Sequence, residues 1–178
     1  VTAAWEVFQW DAEAHATRYL VIDASTGAIL FEDLRQFHSR ALVFAKGPQD
    51  GVTIETALPD LQSKKYLEGS HFIVYGSQNK SDRLRSADGD FLYSPDTSAD
   101  QSAFDQVQAY YNANRVLSYF ADNYGYKMDV TKMPIHTNTL IQGRGDNAVY
   151  LPEPPQILIG PGQDSLQNLA RDSDVFAH

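Results

Sequence analysis

The side chain best placed for chemistry is the imidazole of His178, which closes the run Asp172-Ser-Asp-Val-Phe-Ala-His178. Asp172 or Ser173 suits a helix N-cap, and Asp174 falls in the first turn, where the helix dipole favours an acid. Val175 to Ala177 then make an apolar run, so the segment reads as the opening of a buried helix that reaches a histidine. The chain has no cysteine, which excludes thiolate ligation and leaves histidine and carboxylate as the only strong metal donors. Asp164, Asp172 and Asp174 are candidate calcium ligands, because calcium gathers several carboxylate and carbonyl oxygens; helix capping is the simpler account of the last two. His38, beside Phe37 and Arg40, reads as a surface residue, and His71 and His136 read as strand residues. A lone imidazole is more often a solvated end than a ligand, so the elements upstream must decide.

Those elements are of both kinds. Phe104, Val107, Tyr111, Leu117, Phe120 and Tyr124 recur at three- and four-residue steps, which predicts one long helix from Ala103 to about Tyr124, with Gly125 as its stop. Phe104, Tyr111 and Phe120 are expected in the core. Asn112, Asn114 and Arg115 interrupt the apolar pattern, as a polar site or a solvated face would. Before the helix, the stretch from Val52 to Tyr93 reads as short strands of a twisted antiparallel sheet, with Lys80, Arg83 and Arg85 in a solvated loop. After it, Ile135–Ile141, Asn147–Tyr150 and Gln156–Ile159 read as strands. Residues 1–38 form a separate antiparallel meander, with Asp23-Ala-Ser-Thr-Gly27 as a turn. The fold class is α+β in two units, 1–38 and 39–178. The Gly143-Arg-Gly145 turn lacks the strand-to-helix setting of a phosphate loop, so nucleotide binding is set aside.

Composition narrows the partners. A net charge of −9 argues against nucleic acid or an anionic membrane surface, both of which demand a Lys/Arg face. No apolar run approaches the length of a membrane span, and no basic-apolar leader opens the chain. Val1 opens in the middle of an alternating strand pattern, so the chain reads as an internal piece of a longer secreted precursor.

A resemblance joins these readings. Asp174-Val-Phe-Ala-His178 resembles the lead-in to the His-Glu-x-x-His zinc helix of thermolysin-like and fungalysin-like metallopeptidases. The segment Phe104–Leu117 resembles the long helix that packs beside that zinc helix. Asn147-Ala-Val-Tyr150 resembles the family's substrate-binding edge strand, and Ile157-Leu-Ile-Gly-Pro-Gly162 the strand and glycine turn before the zinc helix. Ala4–Val7, Arg18–Ala24 and Thr26–Leu30 are similar to the end of a PepSY-type propeptide, and Leu58–Leu61 with Tyr66–Gly69 loosely resembles the peptidases' amino-terminal sheet.

The resemblance implies a secreted zinc metalloendopeptidase acting on peptide or protein substrates. His178 would be the first zinc ligand, and Ala148 would offer its carbonyl and Asn147 its side-chain amide to the substrate backbone. The general-base glutamate is expected just after His178. The remainder of the catalytic domain and the propeptide would be further partners, and the chain alone would not catalyse. A non-enzymatic inhibitory or binding module is the competing reading, and an acidic extracellular structural domain a third. A glutamate after His178, with a histidine three positions later, separates the enzyme from the binding module, and the structural domain predicts no stoichiometric zinc in the longer protein.

Overall fold

The computed structural model describes residues 3–11, 16–35, 39–130, 132–163 and 167–178, which fall into two compact units, Val1–His38 and Ser39–His178. The first is a three-stranded antiparallel meander of β1 (Ala4–Asp11), β2 (Ala16–Asp23) and β3 (Ile29–Arg35), in that order. Its second turn forms as the sequence indicates. The Asp23 carboxylate accepts from the backbone N–H groups of Ser25 (2.8 Å) and Thr26 (2.9 Å), and Gly27 supplies a left-handed residue with φ 71°. His38 lies outside the described residues.

The second unit carries the rest. Strands β4 (Arg40–Phe44) and β5 (Thr53–Ala57) form an antiparallel pair. A second, four-stranded sheet has the order β6-β7-β9-β8, from β6 (Phe72–Tyr75), β7 (Met133–His136), β8 (Ala148–Pro152) and β9 (Pro155–Ile159). Strands β6, β7 and β9 run parallel, and β8 runs antiparallel to β9. The single antiparallel sheet expected between Val52 and Tyr93 is therefore not formed. Leu61, Tyr66, Gly69 and Phe91 make only isolated bridges, and β6, which keeps a short antiparallel bridge from Ile73 to Glu68, takes β7 as its ladder partner. The reason is the connection: parallel strands need a crossover, and the helix α1 (Gln101–Tyr124) provides it between β6 and β7.

α1 packs on β4 and β6, with Val107, Tyr110 and Ala113 buried in one core with Val43, Val74, Ile135 and Phe91, and Phe104 buried against Phe44. Of the three aromatics expected inside, Phe104 is fully buried and Tyr111 partly so, whereas Phe120 is 40% exposed. At 24 residues the helix spans about 36 Å, at 1.5 Å per residue. A four-residue strand such as β6 covers only about 13 Å, at roughly 3.3 Å per residue. Along its last turns Tyr119 meets Phe120 and Tyr124 edge-on, Phe120 and Tyr124 meet at a tilt, and all three rings are exposed. Gly125, left-handed at φ 66°, ends the helix as its sequence indicates.

Arg83 also departs from the solvated-loop reading. Its guanidinium donates to Glu68 (2.7 Å) and lies over the Tyr66 ring at 4.2 Å. Lys132 donates to the other Glu68 oxygen at 2.6 Å, and these two cations, Lys132 foremost, hold the Glu68 carboxyl below the usual glutamate range.

Candidate functional site

The free edge of the four-stranded sheet is β8. Gly160 N–H donates to Asn147 C=O at 2.9 Å, and Thr139 N–H donates to Ile159 C=O at 2.9 Å. The first bond turns the Asn147 main chain toward β9. The second shows that Ile159, the partner of Ala148 in the ladder, directs its carbonyl away from β8. In an antiparallel ladder such pairs alternate. Ala148 and Tyr150 therefore point their N–H and C=O groups outward, and among the described residues no strand takes them. Pro152 ends the strand and limits its pairing with another chain.

Three glycines set where β8 begins. Gly162 N–H donates to Gly145 C=O at 2.9 Å, so the turn before β8 and the turn after β9 lie backbone to backbone. A side chain at Gly160 would overlap the Gly145 carbonyl oxygen and stand 2.9 Å from Asn147 O. Glycine is required there by close approach alone.

From Gly160 the chain runs to a 3₁₀ turn, Leu169–Arg171, and then to α2, Ser173–Ala177. Asp172 is the N-cap, accepting from Asp174 N–H at 3.0 Å, and Asp174 lies in the first turn. His178 is the C-cap, its N–H donating to Asp174 C=O at 3.1 Å, and its side chain is exposed. The helix expected to be buried is not: α2 contains no buried residue. Its contact with the body runs through Phe176, which lies with Leu117 and Phe120 of α1, Ile157 of β9 and Tyr150 of β8 around an open apolar trough of about 650 Å³. The trough is what brings α2 and the β8 edge together.

A polar seam lies beneath the 3₁₀ turn. Asp105, Gln108 and Asn112 share one stripe of α1, each less than 5% exposed. Gln108 accepts from Phe44 N–H (2.7 Å) and donates to Phe44 C=O (3.1 Å), acting as a strand neighbour for the end of β4. It also donates to Asn112 (3.0 Å), whose amide donates to Ala170 C=O at 3.2 Å. Asp105 accepts from Arg171 at 2.6 Å and from Asn168 at 2.8 Å, and Asn168 donates as well to Asn138 at 2.7 Å. Burial pushes the Asp105 carboxyl above the usual aspartate range, against Arg171 and Asn168, which hold it down. Asn112 and Asn114 are thus neither solvated nor idle; Arg115 alone of the three is exposed, and it donates to Ala45 C=O.

Sequence reasoning passed over Asp105, Gln108, Asn168 and Arg171. Polar residues at apolar-phase positions 105, 108 and 112 were the available signal. Asn168 could be read at most as a local cap, and the bonds of Asn168 and Arg171 to Asp105 carry no signal, since they span more than 60 residues.

For a metal, the described residues offer one free imidazole. His136 is buried, stacked on Tyr75 at 5.2 Å, with Nδ1 at 2.7 Å from Ser77 C=O, and His71 faces Asp60 at 3.4 Å. Among the described residues no three His, Cys, Asp or Glu side chains converge as a metal site would require. His178 fits as one ligand of a larger set. Of the candidate calcium ligands, Asp172 caps α2, Asp174 is exposed, and Asp164 lies outside the described residues.

The candidate site thus combines a mixed sheet with an open antiparallel edge, a long helix packed on the sheet and a short capped helix that reaches an exposed histidine. The family model of the thermolysin metallopeptidase catalytic domain matches residues 49–178, and the chain belongs to the thermolysin family of metallopeptidases. That membership implies peptide hydrolysis and zinc as the metal. No curated protein matches the chain. Among the described residues no helix is long and apolar enough to cross a membrane.

Proposed function

We propose that the chain is the amino-terminal part of the catalytic domain of a secreted zinc metalloendopeptidase, preceded in residues 1–38 by the end of a PepSY-type propeptide. The observation that carries the reading is the open β8 edge standing in the matched region. An edge whose N–H and C=O groups are free holds an extended peptide by strand addition. Ala148 offers both groups, and Asn147, exposed at the start of the strand, offers its side-chain amide. His178 holds zinc with donors from the remainder of the catalytic domain. When bound, zinc polarises the scissile carbonyl and lowers the pKa of a coordinated water. This chain aligns the substrate along β8 and presents the imidazole at the end of a capped helix. The apolar trough beside Phe176, lined by Leu117, Phe120, Tyr150 and Ile157, is where the remaining half of the domain would seat.

Ala148→Pro in the active enzyme tests the edge. Proline deletes the outward N–H and leaves the ladder to β9 intact, because that N–H takes no part in it. The expected result is a KM for peptide substrates raised about tenfold, the worth of one hydrogen bond of roughly 1.4 kcal/mol, with little change in Tm. An unchanged KM would remove β8 from substrate binding.

A further inference from the structure

We propose that Asp105, Asn112 and Asn168 are positioning residues, whose buried hydrogen bonds fix the 3₁₀ turn Leu169–Arg171 and thereby the direction in which α2 delivers the His178 imidazole. The proposal rests on the reading of His178 as a metal ligand.

The argument begins from what α2 lacks. It has five residues, none of them buried. One and a half turns do not cover the cost of helix nucleation, and there is little packing to orient them. Ala170, Leu169 and Phe176 pack on the core, but what fixes the direction of the segment lies upstream and is a set of hydrogen bonds. Asn168 Oδ1 accepts from Ala170 N–H at 2.9 Å, capping the turn, while its Nδ2 donates to Asp105 and Asn138. Ala170, fully buried, gives its C=O to Asn112. Arg171 is locked to Asp105. Ser173 Oγ donates to Lys46 C=O at 3.1 Å, and Asp172 caps the first turn.

From residue 168 to 174 nearly every residue is therefore tied by a hydrogen bond of defined direction, and His178 follows about one helical turn later. An apolar seam of the same shape would be comparably stable, because burying an ion pair returns little net energy. It would let the turn slide or rotate, however, which hydrogen bonds with fixed donors and acceptors do not. The other end of the seam, Gln108 on both backbone groups of Phe44, anchors it to β4 and so to the core.

The test uses the full-length protein with two substitutions, Asn112→Leu and Asn168→Ser. The first removes the donor to Ala170 C=O at nearly constant volume. The second retains a short oxygen that can cap the turn but deletes the donors to Asp105 and Asn138; it stands in if the first does not fold. Amide hydrogen exchange is read for residues 169–178 and, separately, for β6, β7 and β9. Zinc affinity is read by competition with a chromogenic chelator.

The expected result is exchange about tenfold or more faster in 169–178 with the sheet unchanged, and zinc affinity lowered about tenfold or more, as for other residues that orient a ligand from behind it. Exchange that rises equally in the sheet, or does not change, overturns the proposal, as does unchanged zinc affinity despite a loosened turn. A His178→Ala control separates the two claims. If zinc binding ignores that substitution, the metal reading has failed, whereas the exchange comparison still judges the seam.

Discussion

Replacing Arg171 by methionine is expected to cost about 3–5 kcal/mol of folding stability at pH 7, measured by denaturant unfolding. Arg171 and Asp105 are 9% and 4% exposed, and their contact at 2.6 Å lies between the 3₁₀ turn and α1. Methionine fills much of the volume but leaves a carboxylate with the Asn168 amide as its remaining partner and little water. Most of the loss is the desolvation of that stranded charge, not the value of the pair itself. Two consequences follow from this assignment. The double variant Asp105→Leu/Arg171→Met is expected to recover much of the stability, because it strands no charge and leaves only the Asn168 amide hydrogen that Asp105 accepted without a partner.

The loss in the single variant also depends on pH. Burial already raises the Asp105 carboxyl, and without the guanidinium it rises further. A carboxyl whose folded pKa lies above its unfolded value of about 3.9 penalises the fold in full above the folded value, and the penalty fades as pH falls from there toward 3.9. The gap between Arg171→Met and the parent protein is therefore expected to narrow on acidification from neutral pH. A gap independent of pH would place the cost in packing.

The second large effect is steric. Gly160→Ala is expected to destabilise by about 3 kcal/mol or more, at the upper end for overpacking, because the added methyl overlaps backbone and not a movable side chain. It would overlap the Gly145 carbonyl oxygen, with the carbonyl carbon 2.6 Å away and Asn147 O 2.9 Å away. Relief requires the turn before β8 to move, so the substitution also displaces Asn147 from its bond with Gly160. Gly143, in the same turn, is the control. It has open space around its Cβ position and a left-handed φ of 80°. Alanine there meets only the left-handed penalty of about 1–2 kcal/mol. Equal costs at the two positions would show that the close approach at Gly160 is unimportant.

The legible parts of the fold are those written by local pattern. The spacing from Phe104 to Tyr124 predicted α1, and Gly125 marked its end. Asp172 was readable as a cap because capping needs only neighbouring residues. Asn147–Tyr150 and Gln156–Ile159, short apolar runs set off by glycine and proline turns, were readable as β8 and β9. Direction was not legible: Phe72–Tyr75 and Met133–His136 are short apolar runs, and nothing in such a run distinguishes a parallel partner from an antiparallel one. Phe120 misled because periodicity tells which face is apolar, not how far the sheet beneath extends. Asn112 was ambiguous because its partners, Gln108 and Ala170, lie on the same helix and 58 residues onward. Arg83 looked solvated for the same reason, since the rings and carboxylate that hold it are distant in sequence.

The candidate site divides along the same line. β8 and His178 were marked by residue type and order, and the match over residues 49–178 agrees with the family that order suggested. The seam that steadies α2 was hidden, because it is made of polar residues whose meaning depends on what they face.

The most direct measurement is zinc content and zinc affinity of the full-length protein with His178 and with His178→Ala, alongside peptide hydrolysis. The account predicts about one zinc per catalytic domain, held at least about a hundredfold more weakly when the ligand is removed, with hydrolysis lost. Equal zinc affinity and equal hydrolysis in the two proteins would contradict it, and would move the metal centre away from the end of α2.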